Sequence, residues 1–246
     1  MDKNRLKKLA SDKRFVPGIY NYCDRWCERC PQTSQCLNFA CSEEESTDPE
    51  TRDIENEAFW QKLSESFRDA LELLKDAAEE HGIDLESLDT EPSHEELERK
   101  DAMVKSHEVC RAAKVYSDLV QDWFGSPANL PVAQSIMAEE EASLEEAIEV
   151  IRWYQHFIYV KLMRAVRGEL DERDEELDDL PKDSEGSAKI ALIAIDRSIG
   201  AWGTIYAHGS LQDEKILRFV AYLDRLREEV EKAFPRARSF TRPGFD

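Results

Sequence analysis

Apolar residues recur at three- and four-residue intervals along most of the chain, and no alternating strand pattern with flanking hairpin signals occurs. Phe59 (or Trp60), Leu63, Phe67, Leu71, Leu74 and Ala78 predict a helix that ends near His81 and Gly82. Ser93 and Glu96 form a capping box for a long helix to about Phe124, with Val109, Ala113, Tyr116, Val120 and Trp123 as its inward stripe. Ser143 and Glu146 open another, running to about Arg167 and Gly168. Asp183 or Ser184 starts a helix that ends at Gly209; Ser210 caps the last, which stops before Pro235.

The helices at 143–167 and 184–208 are apolar on more than one side. In the first, Leu144, Ile148, Ile151, Ile158 and Leu162 make one stripe, and Trp153, Phe157 and Val160 lie on the other side. A helix apolar on two faces is normally central, so these two are expected to form the core pair. The predicted fold is all-α: a bundle of about five helices with a small N-terminal Cys-rich metal-binding knuckle. Residues 1–45 form the Cys-rich module, and 46–246 the acidic linker, the bundle and a basic tail.

Composition agrees with a helical chain, since only 9 Gly and 9 Pro occur in 246 residues and 41% of positions are hydrophobic. The net charge of −20 argues against nucleic acid and against anionic membranes, both of which need clustered cations. It leaves a protein partner open and says nothing of oligomeric state. The first fifteen residues lack an apolar h-region and no apolar run approaches a membrane span, so the expected location is cytoplasmic. In that reducing compartment standing disulfides are not expected.

This last point gives the cysteines their interest. Five of the six lie in "CDRWCERCPQTSQCLNFAC", spaced C-x3-C-x2-C-x5-C-x4-C from Cys23 through Cys27, Cys30 and Cys36 to Cys41. Structural thiols would be scattered among aliphatic residues, whereas these sit among Asp24, Arg25, Glu28, Arg29 and Gln32. Convergence of soft donors on a metal explains the pattern better. On one continuous helix, Cys23 and Cys30 would have α-carbons ~10.5 Å apart, so that they could barely share one zinc with bonds of ~2.3 Å. The segment must bend, or the centre must be larger than one atom. Cys23, Cys27, Cys30 and Cys36 make the most compact set, with Cys41 as a substitute.

The run "CERCPQTSQCLNFAC" resembles, in spacing, the auxiliary-cluster region of radical-SAM maturases, and "CDRWCERC" has the C-x3-C-x2-C spacing of the radical-SAM core motif. The resemblance spans about twenty residues and implies a [4Fe–4S] cluster; the chain has no βα repeats and no glycine-rich SAM-binding strand. Zn2+ is the other expected cofactor. Tyr20, Tyr22, Trp26 and Phe39 would cover such a site, and Arg25 and Arg29 would offset its charge.

Elsewhere the chemistry is sparse. A di-iron centre needs Glu-x-x-His on helices, and the one instance, Glu91 to His94, spans Pro92. His107 and Cys110 stand one turn apart. Glu149, Arg152 and His156 share a flank that ion pairing explains. Asp196 interrupts an apolar helix, followed by Gly200 and Gly203 on the same face; it either lines a pocket or pairs with Arg152, Lys161 or Arg164. The expected function is therefore metal binding in a redox- or metal-responsive or partner-binding role. The alternative is an Fe–S electron carrier or an enzyme with a pocket near Asp196.

Overall fold

A computed structural model describes residues 3–45, 49–85, 94–126, 142–172, 182–207 and 214–246. All regular structure among them is helical, with no strand. The chain divides into two compact units, one of residues 1–92 with 243–246 and one of residues 93–242.

The first unit contains α1 (Lys3–Ala10), α2 (Leu37–Glu45) and α3 (Glu57–Glu80), with three short 3-10 turns between α1 and α2. Both α2 and α3 pack on α1. Lys7 of α1 meets Asp76 of α3 at 2.8 Å, an exposed pair worth little by itself. Asn56 caps α3, its side chain accepting from the Ala58 N–H at 2.9 Å. The predicted stripe of α3 does not face inward: Trp60, Leu63, Phe67, Leu71 and Leu74 are all exposed, and only Ala78 of the set is buried.

The second unit is built from α4 (His94–Ser106), α5 (Glu108–Gly125), α6 (Ala142–Glu172), α7 (Asp183–Ala207) and α8 (Glu214–Ala233). The α6–α7 pair makes the most extensive contact in the unit, with α5 on α6 and α8 on α7. Val109, Ala113, Tyr116, Val120 and Trp123 of α5 are buried as their spacing predicts. So is the stripe of α6 from Leu144 to Leu162. Its other side is not: Val160 is 58% and Trp153 37% exposed, so α7 carries the central position more fully than α6. The core centres on Trp202, which stacks on Phe219 at 4.5 Å, meets Trp123 edge-on at 5.2 Å and donates its indole N–H to the Tyr116 hydroxyl at 3.0 Å.

Three boundaries differ from expectation. The single helix expected up to Phe124 is broken at His107, which is extended at φ −61° and ψ 140°. There the Ser106 hydroxyl donates to the Met103 carbonyl, a local bond that competes with helix continuation. Gly168 does not end α6, which continues to Glu172; a Cβ there would meet the Ser184 backbone nitrogen at 3.4 Å, an ordinary contact distance. Ser143 lies inside α6 rather than before it. The caps assigned to Ser93 and Ser210 fall outside the described residues.

Candidate metal centre

The cysteine segment is a chain of tight turns rather than one helix. 3-10 turns span Ile19–Tyr22, Cys27–Arg29 and Thr33–Gln35, and each is followed by an extended residue: Cys23, Cys30 and Cys36 respectively. Cys27 opens the second turn. A cysteine therefore stands at each bend, which removes the spacing problem of a straight helix. Between Cys23 and Cys27 the chain reverses at Arg25, whose φ of 59° is left-handed. A non-glycine residue there is strained by about 1–2 kcal/mol. The Asp24 carboxylate supports the bend by accepting from the Trp26 N–H at 3.2 Å.

Cys23, Cys27, Cys30 and Cys36 all line one small cavity of about 20 Å³ with Ile19, Tyr20, Trp26, Phe39 and Phe245 among its walls. Cys41, on α2, is not part of that lining. None of the six cysteines is joined in a disulfide. Gln32 donates its backbone N–H to Cys30 Sγ at 3.4 Å, and the Cys23 thiol lies 3.6 Å from the Tyr20 carbonyl. The Cys27 thiol is held above its usual range, first by loss of solvent and then by electrostatic repulsion from Cys23, Cys30, Cys36 and Glu28. Among the described residues no group of three or more His, Cys, Asp or Glu side chains is already arranged to hold a metal ion.

The neighbours fill in the rest. Arg29 lies over the Trp26 ring at 4.2 Å, and Val16 donates its N–H to the Gln35 carbonyl at 3.0 Å, tying the preceding arm to the third turn. Phe245, which spacing within the cysteine segment could not indicate, comes from the far end of the sequence. Gly244 beside it takes φ +75°, and Ile19 Cδ1 fills the space where its Cβ would be.

Residues singled out in the second unit have other work. Asp196 is half-exposed and bound by Arg238 at 2.6 Å and Arg227 at 3.5 Å, not by Arg152, Lys161 or Arg164. Arg238 also reaches Glu231 at 2.8 Å, so part of the basic tail is clamped onto the helices through a 3-10 turn at Ala237–Ser239. A Cβ at Gly200 or Gly203 would meet open space, so neither is a close-approach glycine. Arg152 lies over the Phe124 ring and the His156 Nδ1 meets the Ser117 hydroxyl at 2.6 Å. Cys110 is buried with its thiol pushed up to about 12 by loss of solvent, and His107 stands just before α5 without a side-chain capping bond. Glu91 lies outside the described residues. No described helix is long and apolar enough to cross a membrane. Compared with protein-family models, curated proteins and solved structures, the chain matches none.

Proposed function

We propose that this chain is a metalloprotein whose first unit is organised by one centre bound to Cys23, Cys27, Cys30 and Cys36, serving a redox- or metal-responsive role rather than catalysis. The observation that carries the reading is the shared cavity: four cysteines separated by up to thirteen positions line the same space, and Cys41 is not among its walls. The donor set is soft and suits zinc or an iron–sulfur cluster. Burial and the neighbouring cysteines oppose ionisation of Cys27, and a cationic centre would offset that opposition. Phe245, Trp26 and Phe39 limit water at the thiolates, and the Gln32 N–H is placed to hydrogen-bond the Cys30 sulfur.

The C-x3-C-x2-C-x5-C spacing favours [4Fe–4S]. Zn2+ is the second reading, favoured by a cavity of about 20 Å³, close to the space of a single water. When bound, the cluster would supply one-electron redox chemistry; zinc would supply only cross-linking. Elemental and sulfide analysis of anaerobically purified protein decides between them. Cys27→Ser is expected to lose at least 90% of the metal (roughly tenfold or more in affinity), while Cys41→Ser keeps it. Parent protein free of both iron and zinc, or equal loss in the two variants, would overturn the assignment.

A further inference from the structure

Helix α3 turns its apolar face outward. Trp60 is 52%, Leu63 36%, Phe67 65%, Leu71 58% and Leu74 55% exposed. The side that packs within the unit instead carries Lys62, Asp69, Leu73 and Asp76, all half-buried. The exposed residues follow a seven-residue repeat: Trp60, Phe67 and Leu74 at one position, Leu63, Ala70 and Ala77 three residues later. Their exposed apolar area is on the order of 500 Å² per copy, taking 150–250 Å² for a whole aromatic side chain. Two such faces together would remove about 1,000 Å² from water, the lower bound for a specific interface.

We propose that this face is where a second copy of the chain docks, with the two α3 helices antiparallel about a two-fold axis. The reason for a second copy, rather than an unrelated partner, is that the face contains its own complement. Set antiparallel, Trp60 comes opposite Ala77, Leu63 opposite Leu74 and Phe67 opposite Ala70, so each large side chain meets a small one or two medium ones meet. A parallel pair would place Trp60 on Trp60 and Phe67 on Phe67, leaving the Ala70 and Ala77 layers hollow. A two-fold interface must be self-complementary, and the antiparallel register is. Net charge opposes it, since each chain carries −20 and two copies repel as wholes. Screening should therefore tighten the dimer. The inference stands apart from the thiolate centre and does not depend on it.

Sedimentation equilibrium of the full chain at low and high NaCl tests this, with circular dichroism confirming that each variant keeps its helix. The parent should be a concentration-dependent dimer, tighter at high salt. Phe67→Glu should raise the dissociation constant by at least about 100-fold. Ala77→Trp should weaken the dimer comparably, and adding Trp60→Ala to it should return the constant to within about tenfold of the parent. A parent that is monomeric at every concentration overturns the proposal. So does a dimer indifferent to Phe67→Glu, and a dimer that the Trp60→Ala, Ala77→Trp exchange fails to restore overturns the antiparallel register.

Discussion

At Gly244 two constraints coincide, a left-handed backbone and an occupied Cβ position 2.7 Å from Ile19 Cδ1. Gly244→Ala should cost the first unit about 1–2 kcal/mol from the backbone alone, and thermal melts should show it as a lower midpoint. Gly203→Ala should do the opposite, gaining roughly 0.5–1 kcal/mol, because a helical glycine there faces open space. The contrast shows what can be read from residues alone. That Cys23, Cys27, Cys30 and Cys36 share one cavity was legible because they are near in sequence. Arg238 as the partner of Asp196 was not, since the two are 42 positions apart and Arg238 sits beyond any periodic helix. Phe245 was hidden for the same reason.

Among the elements, periodicity indicated where helices lie better than what they face. On α5 the stripe and the core coincide. On α3 the stripe is equally regular but points to solvent, because a pattern of spacing records which residues share a side and not what covers it. Helix ends were least legible: glycine reads as a stop signal, yet at 168 it lies inside α6, facing the start of α7 with room for a methyl group and little more. That reading has a direct check. Gly168→Ala should be tolerated or add up to ~1 kcal/mol in urea unfolding, as its Cβ would sit at ordinary contact distance, whereas Gly168→Leu should cost about 1–3 kcal/mol by forcing Ser184 away.

For the molecule as a whole, the buried polar groups predict sensitivity to alkali. Cys110 has its thiol raised from 9.0 to about 12, and Tyr116 is also raised, both through loss of solvent. Folded-state values above the unfolded ones mean the stabilisation is complete below about pH 9 and is lost as pH rises toward the folded values. Unfolding free energy should thus fall by roughly 1.4 kcal/mol per pH unit for each such proton, from about pH 9 for Cys110 and from about pH 10 for Tyr116. Urea titrations at neutral and alkaline pH measure this; a flat profile between pH 9 and 11 would contradict it. The helical class itself followed from composition and spacing, whereas the inclusion of 243–246 in the first unit did not, because such long-range closure leaves no local pattern.

That closure bears on the order of events during synthesis. Cys36 leaves the ribosome 207 residues before position 243 (243 less 36), a lag on the order of 10–40 s at 5–20 residues per second. Until the lag ends the cysteine cavity lacks its Phe245 wall. A nascent chain stalled before that point should leave Cys23 and Cys27 open to alkylation, and a fragment ending at residue 92 should stay so permanently.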